Sequence, residues 1–165
     1  MAFHLIIFDL DGTLVDSLED LADSMNAVLS TRGFPTHPIA PYRRFVGDGI
    51  TTLVRRALPE TDPSGDLVEA CVVEMRREYA RRQTAKTRPF PGIPELLRSL
   101  RERGLKTAVF SNKPDGPTRE VVAALLAPHP FDAVRGARPD APVSYTHLTL
   151  PTTIPSCRSR WSPYH

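Results

Sequence analysis

Two carboxylates separated by one residue, Asp9 and Asp11, carry the most conspicuous chemistry of this 165-residue chain. They follow a short apolar run, His4–Phe8 (HLIIF), and lead into Gly12 and Thr13. In an extended segment alternate side chains point the same way, so both carboxylates face one space. Gly12 lets the backbone turn sharply, and Thr13 supplies a hydroxyl and an exposed N–H. Two close carboxylates are costly together unless a cation is present or one is protonated. A hard divalent ion such as Mg²⁺ relieves that cost, taking one or two carboxylates and completing its shell with substrate phosphate oxygens. One carboxylate could then be a nucleophile and the other a proton donor. A calcium loop fits poorly, because the EF-hand glycine belongs at the sixth position, where this chain has Leu14. A surface turn with aspartate capping the backbone is the plain alternative.

Ser111-Asn112-Lys113 is the second polar cluster. Its hydroxyl, amide and ammonium could hold a phosphoryl group by charge-assisted hydrogen bonds. An ordinary turn into a helix explains the same triplet. Gly47-Asp48-Gly49 reads either as a loop over a ligand or as a helix–helix turn, with Gly47 and Gly49 as the candidate contacts. Cys71 reads as a small core residue, His4 as structural, and the arginines between Arg76 and Arg88 as a solvated helix face.

The elements that must position these groups follow from periodicity. His4–Phe8 predicts a buried strand. Leu18, Leu21, Ala22, Met25, Val28 and Leu29 recur at helical spacing, with Asp16 or Ser17 as start and Gly33 as stop. Pro35, Pro38 and Pro41 predict turns, Tyr42–Val46 a short helix, and Ile50 to Ala57 another. A longer helix is predicted from Pro63 to about Thr84, with Leu67, Cys71, Met75 and Tyr79 on one face. Pro89-Phe90-Pro91-Gly92 reads as a linker. A helix around Leu96, Leu97 and Leu100 stops at Gly104, and Leu105–Phe110 predicts the second strand. Pro117 suits the first turn of the next helix, and Phe131–Val134 predicts a third strand. Strands alternating with helices argue for a parallel α/β sheet. Ligands of such sheets sit beyond the carboxyl ends of the strands, where both polar clusters fall.

Composition excludes several classes. Hydrophobic residues make up 41% and charged residues 24%, against disorder. No run of 18 apolar residues exists, against a spanning helix, and the first apolar run is too short for a signal peptide. Two cysteines, Cys71 and Cys157, give no disulfide framework, so a reducing, cytoplasmic setting is expected. The net charge of +2 comes wholly from residues 143–165, which hold Arg158 and Arg160 and no Asp or Glu. That gives no ground for a nucleic-acid partner. Seven of the 17 prolines lie at or after Pro128.

The run Phe8-Asp9-Leu10-Asp11-Gly12-Thr13-Leu14-Val15-Asp16-Ser17 resembles the first motif of the haloacid dehalogenase-like hydrolase superfamily. Phe45-Val46-Gly47-Asp48-Gly49, Pro89-Phe90-Pro91-Gly92 and Ser111-Asn112-Lys113-Pro114 match in order and spacing, over residues 4 to about 142. Within the superfamily the similarity is to phosphoglycolate phosphatases. The resemblance implies a Rossmann-like parallel sheet with a helical cap. The core would be 1–14 and 86–142, incomplete with three strands, and the cap 15–85. It implies Asp9 as the nucleophile that becomes an aspartyl-phosphate, and Asp11 as the acid that protonates the leaving oxygen and then activates water. It implies Mg²⁺ held by the Asp9 carboxylate and the Asp11 carbonyl. Gly12, Thr13, Ser111, Asn112 and Lys113 would lie around the phosphoryl group of a small phosphorylated metabolite, and cap closure would exclude water. Asp11 argues against the dehalogenase branch, and Thr13 favours phosphatases over sugar-phosphate mutases. A phosphomutase, which would return phosphate to the substrate instead of releasing it, is the enzyme alternative, and a non-catalytic phosphate-binding or interaction module is the rival from another class.

Two further motifs of the superfamily find no counterpart: a lysine beyond the third strand and a late Gly-Asp with another Asp. The only lysines are Lys86, Lys106 and Lys113, and the last acidic residue is Asp140. At Val143 the pattern gives way to Val-Ser-Tyr-Thr-His-Leu-Thr-Leu-Pro-Thr, which resembles the in-frame translation of a transposon-end sequencing adapter. Residues 143–165 are therefore expected to be a non-native tail on a truncated chain of impaired activity. A genuine Thr/Ser/Pro-rich tail is the alternative, and the encoding DNA distinguishes the two.

Overall fold

The computed structural model describes residues 4–59 and 65–138. The expectations for residues 143–165, and for a helix start at Pro63, lie outside the described residues. Strand β1 (Leu5–Phe8) pairs in parallel with β4 (Lys106–Pro114), and β4 pairs in parallel with β5 (Ala133–Ala137). The register places Leu5 opposite Lys106 and Phe8 opposite Val109. Helix α5 (Ile93–Glu102) precedes β4, and α6 (Asp115–Leu125) links β4 to β5, the long crossover that parallel strands require. The molecule is thus an α/β protein with a three-stranded parallel sheet, order β1-β4-β5.

The strand at His4–Phe8 forms one residue shorter and is not buried. Leu5 is 45% and Ile7 36% exposed. Alternation puts Leu5 and Ile7 on one face of the sheet, and among the described residues that face is left open at β1.

Between β1 and α5 the chain is helical. Helices α1 (Leu18–Thr31), α2 (Ile39–Phe45), α3 (Ile50–Ala57) and α4 (Asp66–Arg82) bury their apolar faces against one another. Met25, Leu29, Tyr42, Val54, Cys71 and Met75 are fully inaccessible there. A second cluster joins Leu10, Leu14 and Val15 to Leu97, Val109, Val121, Val122 and Leu126 beside the sheet. Helix α2 starts three residues before the predicted Tyr42, because Pro41 falls within its first turn, where a missing N–H costs nothing.

The chain crosses between the clusters twice, and the crossings are hydrogen-bonded together. Val15–Asp16 (β2) pairs antiparallel with Arg88–Pro89 (β3), and Phe90 N–H donates to the Leu14 carbonyl at 3.1 Å. Sequence reading makes Pro89 part of a linker; the two-residue ladder is too short to show as alternation. Beside it Asp20, 1% exposed, accepts hydrogen bonds from Lys86 N–H, Thr87 N–H and the Thr87 hydroxyl at 2.7–3.0 Å. Removing that carboxylate leaves buried donors unsatisfied. Asp20→Ala is expected to cost about 3 kcal/mol, read as a lower midpoint in chemical denaturation.

Candidate active site

Strand β4 does not end at Phe110. It continues to Pro114 with a shift in register: Phe110 faces Arg135, but Pro114 faces Ala137. Four steps along β4 match two along β5, so residues 111–113 bulge. Such a bulge re-aims side chains at the end of a strand. It turns Ser111 and Lys113, both buried, toward the residues that leave β1.

Asp9 stands at the carboxyl end of β1. Its Oδ1 accepts the Leu10 N–H at 2.8 Å, and its carboxyl is hydrogen-bonded to the Ser111 side chain. Ser111 Oγ in turn accepts the Lys113 N–H at 3.2 Å. Partial burial pushes the Asp9 carboxyl above the usual aspartate range, and the Asp11 charge adds to the rise. The Leu10 N–H, Ser111 and Lys113 oppose it.

Asp11 meets Lys113. The Lys113 ammonium lies 3.0 Å from Oδ1 and 3.1 Å from Oδ2 of Asp11, and the lysine side chain is only 5% exposed. The same nitrogen donates to the Tyr79 hydroxyl at 2.6 Å and sits 4.6 Å from the centre of the tyrosine ring. Tyr79 belongs to α4. Burial first, then the Asp11 charge, pushes its phenol far above its ordinary value, so it stays neutral. It also hydrogen-bonds the Ser17 side chain.

The remaining predicted residues are placed differently. Gly12 adopts a φ of +80°, which favours glycine, and its N–H donates to the Val15 carbonyl at 2.9 Å. Thr13 is exposed, but its N–H is not free as expected. It donates to the Leu10 carbonyl at 3.3 Å, because the chain tightens into a turn at once after β1. Asn112 points to solvent. Gly47 and Gly49 lie in the turn between α2 and α3, where Asp48 is paired with Arg56 at 2.6 Å. The structure brings Asp9, Asp11, Ser111 and Lys113 together; among the described residues no hydrogen bond joins the Gly47–Gly49 turn to them.

Sequence reading misses Tyr79 as a site residue, taking it as the last member of the apolar stripe Leu67-Cys71-Met75-Tyr79. The available signal is that a buried tyrosine hydroxyl needs a polar partner. It also assigns Lys113 to a phosphoryl group, without an existing partner in Asp11.

A divalent metal was expected at Asp9 and Asp11. The Asp11 carboxylate is already engaged by Lys113, which leaves the Asp9 carboxylate and the Asp11 carbonyl as the hard oxygen donors here. Among the described residues no group of three His, Cys, Asp or Glu side chains converges on one point. Two oxygens suit Mg²⁺, which completes its shell with water and substrate phosphate.

This sheet, its helical insertion and the paired strand-end clusters define the class. Residues 6–140 match the haloacid dehalogenase-like hydrolase family, and the chain belongs to that family. The phosphoglycolate phosphatase of Pseudomonas syringae pv. tomato is 42% identical over 115 residues, covering 67% of this chain and 42% of the relative. That of Psychrobacter arcticus is 37% identical over 117 residues, covering 67% and 51%. This chain therefore spans about half the length of these curated relatives. A haloacid dehalogenase-like family protein from Streptococcus pneumoniae superposes with a TM-score of 0.74 at 26% identity, covering 85% of this chain and 64% of that one. A predicted phosphoglycolate phosphatase from Haemophilus somnus gives 0.70 at 30% identity, covering 81% and 62%. Among the described residues no helix is long and apolar enough to cross a membrane.

Proposed function

We propose that the chain carries the nucleophile and acid–base half of a cytoplasmic, Mg²⁺-dependent phosphatase acting on a small phosphomonoester of the phosphoglycolate type. The observation that supports this most is the convergence of Asp9, Asp11, Ser111 and Lys113 from the ends of two adjacent parallel strands. An Asp9 Oδ attacks the phosphorus, and the bond from phosphorus to the ester oxygen breaks. Asp11, protonated once its pairing with the Lys113 ammonium passes to the phosphoryl oxygens, gives its proton to that oxygen, so the alcohol leaves neutral. The Asp9 acyl phosphate is then attacked at phosphorus by water, whose proton returns to Asp11. Inorganic phosphate departs and the Asp9 carboxylate is restored. Ser111 and Lys113 face the transferring group and supply donors for its charge. Held by the Asp9 carboxylate and the Asp11 carbonyl, Mg²⁺ would offset the negative charge that a carboxylate and a phosphoryl group bring together.

Phosphate release from phosphoglycolate tests the reading, with Mg²⁺ and with chelator, alongside an acid quench and intact-mass analysis. A metal-dependent release with a hydroxylamine-sensitive gain of one phosphoryl group on Asp9 is expected. Phosphate binding without turnover or adduct would favour a binding module.

A further inference from the structure

The sheet has a second hollow, at the end away from the paired carboxylates. A cavity of about 350 Å³ lies between the end of α5, the start of β4 and the loop that leads into β5. That volume is within the range of small-molecule sites. Thr107 in its wall precedes Ser111 by four residues of β4, about 13 Å at the rise of a strand. The cavity is therefore separate from the strand-end cluster. Its lining is of two kinds. Leu97, 3% exposed, and the half-buried Leu105 and Phe131 are apolar. Arg101, Lys106 and His129 bring N–H donors from three different segments. Among the described residues no hydrogen bond or ion pair engages these three side chains. The one acid of the lining, Asp132, is already in use. Its Oδ2 accepts the Thr107 N–H at 2.9 Å, and its own N–H donates to the Thr107 carbonyl at 2.8 Å. The His129 N–H donates to the Leu126 carbonyl at 2.9 Å, so the loop is tied both to β4 and to the end of α6.

We propose that this cavity is a second ligand site, for a small organic carboxylate with an apolar body of roughly one or two rings. The carboxylate pairs with Arg101 and Lys106, and the body lies against Leu97, Leu105 and Phe131. The planar guanidinium fork of Arg101 matches the two oxygens of a carboxylate, and the Lys106 ammonium adds a point charge beside it. A single negative charge suits the rim. Arg101 and Lys106 stand against Asp132, and a more highly charged anion would face the second oxygen of that acid. An uncharged ligand would leave the cationic rim without a counter-charge. Phe131 gives a ring-bearing ligand an aromatic partner for stacking or edge contact. The site would sit at one end of the strand whose other end carries Ser111 and Lys113.

The probe is 2-naphthoate, titrated into the full chain and followed by calorimetry and by the amide proton–nitrogen NMR spectrum. Saturable shifts are expected at residues 104–107 and 129–132, with the amides around Asp9 and Ser111 unmoved. Arg101→Gln and Lys106→Gln are each expected to weaken binding about 5- to 10-fold, the size of one charged hydrogen bond. Both side chains are exposed and unbonded, so neither change removes a contact from the fold, and thermal melts of the variants check this. 2-Naphthamide keeps the ring body without the charge and is expected to bind at least about 5-fold more weakly than the acid. Three results would each overturn the proposal. One is an affinity unchanged in both Arg101→Gln and Lys106→Gln. Another is a set of shifts centred elsewhere, at the strand ends or on the open face at Leu5 and Ile7. The third is the absence of saturable binding up to about 10 mM probe.

Discussion

Replacing Asp9 with asparagine is expected to abolish hydrolysis and, at neutral pH, to make the protein more stable. An amide cannot form the acyl phosphate, and no second carboxylate can substitute, since Asp11 is held by Lys113. A loss of at least ~10⁴-fold in turnover is expected for removal of a covalent nucleophile, measured as phosphate release. The stability change has the opposite sign. Burial and the Asp11 charge raise the Asp9 pKa in the folded state above its ordinary 3.8. The native state therefore binds the Asp9 proton more tightly than the unfolded state does. Above the raised value the ionised carboxyl works against folding, and that penalty fades as pH falls toward 3.8. Asp9→Asn removes the penalty. Its melting temperature should exceed the parent's at pH 7 in chelator, with the gain shrinking as the pH is lowered through the acid range. A variant that melts lower at pH 7 would show that the Asp9 carboxylate is stabilised in the fold.

Gly136→Ala is expected to damage the site from behind. Gly136 is buried on β5, and its N–H donates to Asp115 Oδ1 at 2.9 Å. A β-carbon there would come within 2.5 Å of the Lys113 carbonyl oxygen, 2.5 Å of Thr118 Oγ1 and 2.6 Å of the Asp115 α-carbon. Two of those atoms are backbone and cannot swing aside. The third is pinned, because the Thr118 hydroxyl already donates toward the Lys113 and Pro114 carbonyls at 3.1 and 2.9 Å. Either β5 retreats or the bulge holding Lys113 is pushed toward Asp11. A loss of about 3 kcal/mol is expected for such overpacking, read by chemical denaturation, together with weaker phosphate binding. Gly116→Ala is the control. It lies in α6 with nothing within 4 Å of its would-be β-carbon, and should be neutral or stabilising by about 0.5–1 kcal/mol.

These two positions illustrate what a sequence discloses. Asp9 is legible because its chemistry is local: a carboxylate leaving an apolar run, a second one beside it, then a glycine. The helices of the insertion are legible for the same reason, since Met25 and Leu29, or Cys71 and Met75, repeat at the helical period. Gly136 is not legible, because its neighbours arrive from residues 113 to 118 by tertiary packing. Tyr79 is hidden by its company: as the end of an apolar stripe it reads as core, and only the fold shows a lysine 34 residues away against its hydroxyl. The paired crossings at Val15–Asp16 and Arg88–Pro89 are hidden by brevity. The extent of β4 beyond Phe110 is hidden because a bulged strand loses its alternation.

The paired crossings have a consequence for how often Tyr79 finds Lys113. Two independent strands of chain between two bodies act as loose tethers, and a group on one body samples a wide volume around the other. Here the tethers are tied into one ribbon by the β2–β3 ladder and by Asp20. A ribbon confines the swing to an arc, so the tyrosine hydroxyl is held near the ammonium at high effective concentration. Cutting the ribbon would make that meeting rarer without altering a single atom at the strand ends.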